Sequence, residues 1–476
     1  MSFKEIHLKS NPQKIVLEFI KSKIKGTEYE NHVFIAGGYV RDEILGKQSK
    51  DIDLLVDLPN GGIAFAEWIC KKIGAYKEGA NPVTYPRFGT AKFNLRKVTY
   101  KGIDLSNYDI EAVMSRAEKY GDTRKPDVQF STLQTDAERR DLTINSLLKN
   151  LSNDEIKDLT GKGILDLKNK IIRTPLDPHI TFTDDPLRML RLIRFAVKYD
   201  WNIPFYIIKS LKKNAEKINN ISSERIQDEL NKILLTDNPD KGIRLLQLTG
   251  LLKHISPELD ATKNLGQNKY HKYDVLKHTA EVIKGVKPDI ITRLSALLHD
   301  IGKVKSKEII DGEIHFYQHE EISGELAKEI LKRLKYPNEI IDAVVLAVTS
   351  HMRIKSAGDE ANISDKALRK LKNDFGEHLE RILDLMDSDN KSHAEKHIMP
   401  NQITTIRQRL KTLSEKDPKK MILPVNGDDI MRLFKLKPGK DIGKILAYVK
   451  DQYLENPRIT KFQMLKLIKY NYKDII

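Results

Sequence analysis

The sequence has a single cysteine, Cys70, among its 476 residues. This excludes an intramolecular disulfide framework and is typical of proteins from a reducing compartment. The chain also lacks an apolar run long enough to cross a membrane, and its first residues, MSFKEIHLKS, lack the apolar core of a signal peptide. We therefore expect a cytoplasmic protein that has no membrane partner.

Acidic residues are outnumbered by basic ones. The sequence has 82 Lys and Arg against 67 Asp and Glu, which gives a formal net charge of +15 at pH 7. A basic balance favours a polyanionic partner such as a nucleic acid, although a lysine-rich protein without such a partner is the alternative. A chain of this length has room for about three domains.

Two kinds of hydrophobic pattern follow one another along the chain. Residues 1–150 alternate strand-like runs such as VFIAGG, DIDLLVD and TAKFNL with helical stretches such as AFAEWICKKIG, which is typical of an α+β domain. Apolar residues recur at helical spacing from residue 184 onward, and PVNGDDI is expected to be a loop between short helices. We predict an α+β head over 1–150, then helical segments over 151–265, 266–395 and 396–476.

The head contains two aspartates one residue apart, Asp51 and Asp53, in the run KDIDLLVD. Side chains alternate across a strand, so both carboxylates are expected on one face, with Ile52 and Leu54 packing behind them. Paired carboxylates are suited to Mg²⁺, which takes substrate phosphates as its remaining ligands. We predict that Asp51 and Asp53 are the metal ligands and the catalytic residues of a phosphoryl-transfer site.

A glycine pair precedes these aspartates. Gly37 and Gly38 separate the apolar run VFIA from the helical run VRDEILG. Backbone amides at the start of a helix bind phosphate oxygens, and Arg41 in the first turn adds positive charge. The stretch therefore predicts a nucleoside triphosphate that is held by Gly37, Gly38 and Arg41 while Asp51 and Asp53 act at its α-phosphorus.

The segment DDPLRMLRLIRF carries Asp185, Arg188, Arg191 and Arg194 at intervals of three residues. On a helix that starts near Pro186 they form one polar stripe, which is either a solvated face or a binding face. A carboxylate and a guanidinium together can pair with the amino group and ring nitrogen of cytosine or adenine. Uracil and guanine present the opposite pattern, so Asp185 and Arg188 would select CTP and ATP without a nucleic-acid template.

The second helical block carries histidines and aspartates at helix-sized intervals, in HKYDVLKHT, ALLHDIGK, YQHEEISGE, VTSHM and LMDSDN. Histidine beside aspartate in a helical region suits a metal cage. The candidate metal ligands are His278, His299, Asp300, His319, His351 and Asp389.

The motifs of the head together resemble a known family. GGYVRDEILG followed by KDIDLLVD is similar to the signature of the polymerase-β superfamily, in the form carried by class II tRNA nucleotidyltransferases, the CCA-adding enzymes. RFGTAKFNL and IEAVMSRAEKYGDTRKP also resemble that family. RRDLTINSLLKN resembles its second motif, which implies that Arg140 lies near the triphosphate and ribose. DDPLRMLRLIRF resembles its templating motif, which implies that Arg191 and Arg194 lie nearer the phosphates, and ISSERIQDELNKIL resembles its next, structural motif.

The second block resembles the HD phosphohydrolase superfamily. This resemblance implies metal-dependent hydrolysis of 2',3'-cyclic phosphate or 2'-phosphate ends. The alternative is an idle helical domain that only binds tRNA. The tail over 396–476 resembles the family's C-terminal arm, which implies that its lysines grip tRNA phosphates. The resemblance thus implies Mg²⁺ at Asp51 and Asp53, and leaves a divalent transition metal as an option in the HD domain.

Together these features identify the sequence as a member of the CCA-adding family. The expected fold is a polymerase-β-like nucleotidyltransferase head, an all-α nucleotide-selecting and tRNA-binding region, a helical HD domain and a helical tail. The expected partners are tRNA, CTP and ATP, and the expected reaction is addition of C, C and A to tRNA 3' ends. The alternatives are a poly(A) polymerase or A-adding enzyme of the same superfamily, an HD phosphohydrolase with an inactive front domain, and a non-catalytic tRNA-binding protein.

Overall fold

The computed structural model describes residues 12–49, 51–74, 81–119, 127–418 and 422–473. Residues 120–126, which end the segment IEAVMSRAEKYGDTRKP, lie outside the described residues. The chain divides into two compact units. The first is Met1–Ile233 with Leu245–Ile255, and the second is Leu234–Arg244 with Ser256–Ile476.

The first unit is built on a mixed seven-stranded sheet. Its strands are β1 (Val33–Ala36), β2 (Ile52–Val56), β3 (Val83–Tyr85), β4 (Thr90–Asn94), β7 (Asp109–Met114), β10 (Leu148–Asn150) and β11 (Ile156–Lys157). Two further pairs are β5 (Thr99–Tyr100) with β6 (Ile103–Asp104) and β8 (Arg116–Lys119) with β9 (Asp127–Phe130). The order across the sheet is β11-β10-β1-β2-β7-β4-β3. β2 and β7 run parallel, and the other neighbours run antiparallel.

The helices up to residue 255 lie before, between and after these strands along the chain. They are α1 (Pro12–Ile24), α2 (Gly38–Ile44), α3 (Gly61–Lys72), α4 (Leu133–Glu138), α5 (Gly163–Asn169), α6 (Pro178–Asp184), α7 (Leu187–Tyr199), α8 (Phe205–Asn214), α9 (Ser223–Leu234), α10 (Pro239–Leu248) and α11 (Leu251–Ile255). Short 3₁₀ helices lie at Pro86–Phe88, Thr143–Asn145 and Ala215–Asn220. The predicted α+β head followed by helices is confirmed.

Helix α3 packs directly on the sheet through the buried side chains of Phe65 and Ile69. A Cβ atom on Gly62 would lie 2.4 Å from the carbonyl oxygen of Gly89 and 2.7 Å from that of Ala112. Only glycine fits so close an approach of a helix to strand backbone. The helix therefore fixes the strands that carry the acidic side chains described below.

Helix α7 starts directly after Pro186, as the sequence predicts. Its side chains Leu190, Ile193 and Ala196 are completely buried, whereas the arginines lie on the other side of the helix. Burial of the apolar stripe is the term that holds a helix of this kind in place. It leaves the polar stripe to face a cleft.

The second unit is almost entirely helical. Its helices are α12 (Pro257–Asp260), α13 (Val275–Gly285), α14 (Ile290–Leu298), α15 (Lys303–Ser306), α16 (His319–Arg333), α17 (Asn338–Ser350), α18 (Asp365–Phe375), α19 (Leu379–Lys391), α20 (Gln402–Lys416), α21 (Gly427–Phe434), α22 (Lys440–Glu455) and α23 (Lys461–Asn471). It also has 3₁₀ helices at Lys355–Ala357, Gly376–His378 and Glu395–His397, and a hairpin of β12 (Lys307–Ile310) with β13 (Glu313–Phe316). Within the described ranges, none of the helices of the chain combines the length and apolarity needed to span a membrane.

One loop prediction is wrong, because PVNGDDI contains the start of helix α21. The Asn426 side chain accepts a hydrogen bond from the Asp429 N–H at 3.0 Å, and the Asp429 carboxylate accepts one from the Asn426 N–H at 3.2 Å. This reciprocal capping box satisfies two amides that the first turn of a helix otherwise leaves unpaired. The residues Asn-Gly-Asp-Asp therefore begin a helix instead of forming a turn.

Candidate functional site

A cleft of about 680 Å³ in the first unit lies between the sheet and helix α7. All ten residues predicted for the first site line this cleft, although they come from four separate stretches of the chain. They are Gly37, Gly38, Arg41, Asp51, Asp53, Arg140, Asp185, Arg188, Arg191 and Arg194. The fold thus brings the predicted phosphate-binding, acidic and base-reading groups to one place.

Two of the carboxylates that line the cleft, Asp51 and Asp53, lie close to a third, Glu111. Asp53 lies in β2 and Asp51 directly before it, and the parallel register places Glu111 of β7 beside Asp53. Burial and the negative charges of Glu111 and Asp51 together raise the pKa of Asp53 to about 6, against the opposing charges of Arg140 and Lys92. Glu111 was not predicted from the sequence, where its signal is an acid between two apolar residues, Ile110 and Ala112.

The glycine turn borders these acids. Gly37 has φ of +66° and ψ of −131°, a backbone conformation that side-chain-bearing residues rarely adopt. A Cβ atom there would lie 3.5 Å from Asp53 Oδ2 and 3.9 Å from Arg140 Nη1. On the next residue, Gly38, a Cβ atom would lie 3.3 Å from Arg41 Nη2. The bare backbone therefore gives a ligand close access to the acids and to both arginines.

Arg41 is buried and held on several sides. Its Nη1 donates to Asn145 Oδ1 at 2.6 Å, while Nε and Nη2 donate to the two carboxylate oxygens of Asp42 at 2.9 and 3.0 Å. The guanidinium carbon lies 5.2 Å from the centre of the Phe195 ring and 5.4 Å from that of Tyr199. These contacts fix the orientation of the arginine before any ligand binds.

Arg140 is fixed in a similar way. Its Nε and Nη2 donate to Asp136 Oδ2 at 3.0 and 2.9 Å, and its Nη1 donates to the carbonyl oxygen of Asn145 at 3.2 Å. Asp136 is fully buried and also accepts from Arg139. Burial alone would raise the pKa of Asp136, but the two arginines outweigh it and lower that pKa.

On helix α7, two arginines have buried carboxylate partners. Arg191 Nε donates to Asp141 Oδ2 at 2.8 Å, and Arg194 Nε donates to Glu229 Oε2 at 2.6 Å. Arg188 comes before both of them in the stripe and is largely buried, yet its guanidinium makes no hydrogen bond or ion pair with any of the described residues. Because Arg188 lines the cleft without such a partner, it is the group in this stripe that a ligand would satisfy.

Asp185 precedes the same helix. Its Oδ1 accepts from the Leu187 N–H at 3.1 Å, and its Oδ2 accepts from Arg225 Nη2 of helix α9 at 2.9 Å. The sequence analysis treated the segment with Arg225 as structural and therefore missed this contact. Asp185 and Arg188 line the cleft together, with the carboxylate oriented from two sides.

The second unit brings together the six predicted histidines and aspartates. Asp300 lies at the centre, with Oδ2 at 3.2 Å from His299 Nε2 and Oδ1 at 3.4 Å from His319 Nε2. The Nε2 atoms of His319 and His351 are 3.3 Å apart. The ring nitrogens that face the centre thus approach opposite oxygens of one carboxylate.

The remaining predicted ligands complete the cluster on one side. His278 Nε2 lies 3.0 Å from Asp389 Oδ1 and 3.6 Å from Asp300 Oδ2. The atoms His278 Nδ1 and His299 Nε2 are buried without a hydrogen-bond partner. His278, His299 and Asp389 offer ligand atoms that all lie within 4.8 Å of one another, and so do Asp300, His319 and His351. Imidazole nitrogens and carboxylate oxygens gathered in this way are a donor set that fits a divalent metal ion.

A cavity of about 520 Å³ opens onto this cluster. Its lining includes three histidines that were not predicted from the sequence, His271, His393 and His397, together with Lys303 and Lys355. Lys303 Nζ lies 2.7 Å from Asp300 Oδ2, and Lys355 Nζ lies 2.5 Å from Asp389 Oδ2. The lysines put positive charge inside the cavity, beside the two aspartates of the cluster.

Burial keeps several of these imidazoles neutral. Burial, with the charges of His299 and His319, lowers the pKa of His351 to about 3, and burial lowers the pKa of His393 to about 4. Burial would also lower the pKa of His299, but Asp300 and Asp389 outweigh it and raise that pKa. The neutral ring is the form that binds a metal, so His351 is ready for ligation at neutral pH.

Comparison with known families covers most of the chain in three matches. Residues 33–173 match the Poly A polymerase head domain, and residues 203–263 match the probable RNA and SrmB-binding site of polymerase A. Residues 314–463 match the putative domain 2 of tRNA nucleotidyltransferases. The first match contains the acidic and glycine residues of the cleft.

Individual relatives agree with these matches. The tRNA nucleotidyltransferase cca1 of Schizosaccharomyces pombe is 30% identical over 91% of this chain and 90% of its own length. The mitochondrial CCA tRNA nucleotidyltransferase of Candida glabrata is 36% identical, over 46% of this chain and 42% of its own length. The crystal structure of the Bacillus stearothermophilus CCA-adding enzyme in complex with CTP has the same fold, with a TM-score of 0.68, 19% identity and 98% of each chain covered. The chain therefore belongs to the tRNA nucleotidyltransferase family.

Proposed function

We propose that this protein is a CCA-adding enzyme, which adds C, C and A to the 3' end of tRNA from CTP and ATP. The observation that carries the proposal is the cleft itself. It places Asp51 and Asp53 beside a glycine turn, with Glu111 paired to Asp53 in the sheet. The same cleft is lined by Asp185 and by Arg188, whose guanidinium makes no hydrogen bond with any of the described residues. The S. pombe and C. glabrata relatives are named for this type of reaction.

Asp185 and Arg188 would select the base. The carboxylate accepts from the amino group of cytosine or adenine, and the guanidinium donates to the neighbouring ring nitrogen. Arg225 and the Leu187 N–H hold the carboxylate in place, so little reorientation is needed on binding. With uracil or guanine, the Asp185 carboxylate would face a carbonyl oxygen and the Arg188 guanidinium would face a ring N–H. Neither pair can form a hydrogen bond, so buried polar atoms would be left unpaired.

Asp51, Asp53 and Glu111 would hold Mg²⁺, because three converging carboxylates on one sheet face form an oxygen-rich site with excess negative charge. A bound ion would neutralise part of the phosphate charge. The amides of Gly37 and Gly38, with Arg41, would bind phosphate oxygens. The tRNA 3'-hydroxyl would pass its proton to Asp51 or Asp53 as its oxygen bonds to the α-phosphorus, and the bond to the departing pyrophosphate would break.

The direct test uses a tRNA that ends at the discriminator base, incubated with CTP, ATP or both, with products resolved to single nucleotides. We expect two additions with CTP alone and three with both nucleotides. A single A, or a ladder of A residues, would contradict CCA addition and indicate an A-adding enzyme or a poly(A) polymerase.

Base reading is tested by Asp185→Ala. We expect discrimination between CTP and UTP to fall by roughly 10- to 100-fold, the equivalent of about 1 to 3 kcal/mol for buried polar groups left unpaired. The measurement is the ratio of kcat/KM for CTP and UTP on the same tRNA. An unchanged ratio would rule out a base-reading role for this carboxylate.

A second activity is proposed for the histidine–aspartate cluster: metal-dependent hydrolysis of phosphate esters at RNA ends. The buried nitrogens without partners and the two lysines at the entrance support it. The ion would lower the pKa of a water molecule, so that hydroxide is available to attack phosphorus. The residues that would hold the ion are His278, His299, Asp300, His319, His351 and Asp389.

The test follows hydrolysis of a 2',3'-cyclic nucleotide and of bis(p-nitrophenyl) phosphate with Mn²⁺, Ni²⁺ or Mg²⁺. We expect metal-dependent turnover that Asp300→Ala removes and that Asp53→Ala leaves unchanged. Absence of turnover with every metal would favour the alternative of a domain that only binds tRNA.

A further inference from the structure

The polar stripe of helix α7 continues one turn beyond Arg194. Lys198 lines the same cleft, and its Nζ lies 5.3 Å from the centre of the Tyr199 ring. Lys47, from the loop after helix α2, has its Nζ 4.9 Å from the same ring, and the Arg41 guanidinium carbon lies 5.4 Å from it. Three cations from two separate stretches of the chain therefore surround one aromatic ring.

This group of cations lacks balancing negative charge. The nearest carboxylate is Asp42, whose oxygens already accept from Arg41 and from the Tyr199 hydroxyl. Across the residues that the structure describes, neither Lys47 nor Lys198 forms a hydrogen bond or ion pair with a carboxylate.

The environment of Lys198 reflects this imbalance. Burial lowers its pKa, and the charges of Arg41, Arg194 and Lys47 lower it further, while Asp42 acts in the opposite direction. Like charges that the fold holds together at the edge of a cleft are stabilised when an anion binds between them. A polyphosphate is the anion that this cleft would receive if it binds a nucleoside triphosphate.

Lys47 and Lys198 lie at the end of a series of contacts that leads from Asp53 through the glycine turn and Arg41 to the Tyr199 ring. Gly37 adjoins Asp53, Gly38 adjoins Arg41, and Arg41 contacts the Tyr199 ring on which both lysines lie. A triphosphate with its α-phosphorus at Asp53 would extend along this series. We propose that Lys47 and Lys198 form a subsite for the terminal phosphates of the incoming nucleotide and for the departing pyrophosphate, an inference that rests on the proposed nucleotide addition.

The experiment compares Lys198→Met, Lys47→Met and the conservative Lys198→Arg. We expect each methionine variant to raise KM for CTP and the inhibition constant of pyrophosphate by about tenfold, as for loss of one contact to a charged group. The affinity for tRNA alone and the ratio of CTP to UTP use should not change, and Lys198→Arg should be close to the unsubstituted protein. Lys253→Met, an exposed lysine of helix α11 outside the cleft, is the matched control.

Two results would overturn the subsite. Weaker tRNA binding with unchanged CTP and pyrophosphate constants would assign the lysines to phosphates of the RNA backbone. Unchanged constants throughout would mean that no anion binds there.

Pyrophosphate and CTP affinities are also measured by calorimetry without tRNA. If the unsubstituted protein binds pyrophosphate through Lys198 but adds no nucleotide, the proposed function fails and the subsite stands.

Discussion

The nucleotide cleft of the first unit and the histidine–aspartate cluster of the second both gather charged side chains, but they leave different groups unsatisfied. In the cleft, Arg191 and Arg194 are paired with carboxylates, and the group left unpaired is the cation Arg188. In the cluster, carboxylates and imidazoles face one another, and the unpaired atoms are the ring nitrogens of His278 and His299.

The difference indicates what each site requires for completion. An unpaired guanidinium and clustered lysines are satisfied by the base and phosphates of a substrate that enters and leaves. Unpaired imidazole nitrogens that face carboxylates are satisfied by an ion that remains. We therefore expect the first site to hold its metal weakly until a nucleotide binds, and the second to retain a metal in the absence of substrate.

The largest expected effect separates the two sites directly. Asp53→Ala should reduce nucleotide addition by about a thousandfold or more, because it removes a carboxylate from the site where charge develops. Binding of tRNA and the metal content of the second unit should not change. Primer extension, filter binding and elemental analysis measure the three quantities. The control is Asp109→Ala, an exposed carboxylate on the same strand as Glu111. Substantial addition by the Asp53 variant would contradict the metal assignment.

The converse substitution is Asp300→Asn. Because Asp300 contacts histidines through both oxygens, we expect the affinity of the cluster for Mn²⁺ to fall by about 100-fold, with nucleotide addition unaffected. Calorimetric titration and elemental analysis of the purified protein measure this change. Asp311→Asn, at the exposed turn of the β12–β13 hairpin, is the control. Equal metal retention in the Asp300 and Asp311 variants would contradict the proposal that Asp300 binds a metal ion in the cluster.

A third prediction concerns pH in the absence of metal. Because burial and neighbouring acids raise the pKa of Asp53 to about 6, the folded state holds its proton more tightly than the unfolded state does. The contribution of Asp53 to the free energy of unfolding should therefore fall as pH rises from about 4 to 6, whereas buried histidines with a lowered pKa contribute in the opposite direction. Asp53→Asn should be more stable than the unsubstituted protein at pH 7 in EDTA by up to about 3 kcal/mol, and similar to it near pH 4. Urea titrations at both pH values measure this, and a pH-independent difference would contradict it.

The smallest expected effect concerns the support of Asp185. Arg225→Gln should lower the preference for CTP over UTP by roughly 3- to 10-fold, because it removes one contact that orients the carboxylate. Lys232→Gln, on the same exposed face of helix α9, is the control for a general effect on that helix. If stability falls but the kcat/KM ratio does not change, Arg225 is only structural.

Much of the first site was predictable from the sequence, because its residues lie in short contiguous motifs. Asp51 with Asp53, and Asp185 with Arg188, are close enough along the chain for strand or helix geometry to place them on one face. Glu111 was not predictable in the same way, because its position beside Asp53 depends on the register of β2 with β7, two strands that lie far apart along the chain. Arg225 was missed for the same reason, since its partner lies 40 residues earlier.

In the second unit, the six candidates were recognisable because they stand in short motifs of a helical region. His271 lies before helix α13 and His393 after helix α19, and neither was singled out from those motifs. Their position at the cavity follows from how the helices pack. The helix start at Asn426 was missed because Asn-Gly is also a common turn signal, and only the reciprocal contact with Asp429 distinguishes the two.

The parallel pairing of β2 with β7 also constrains how this protein can change. Asp53 faces Glu111 only in the observed register, and a shift of one residue would place apolar Ile110 or Ala112 there and turn Glu111 to the opposite face of the sheet. Insertions between β4 and β7, over residues 95–108, are therefore tolerable for the reaction only when they leave that alignment intact. Whether Asp53 has Glu111 beside it therefore depends on the alignment of β2 with β7 as well as on the presence of both acids in the sequence.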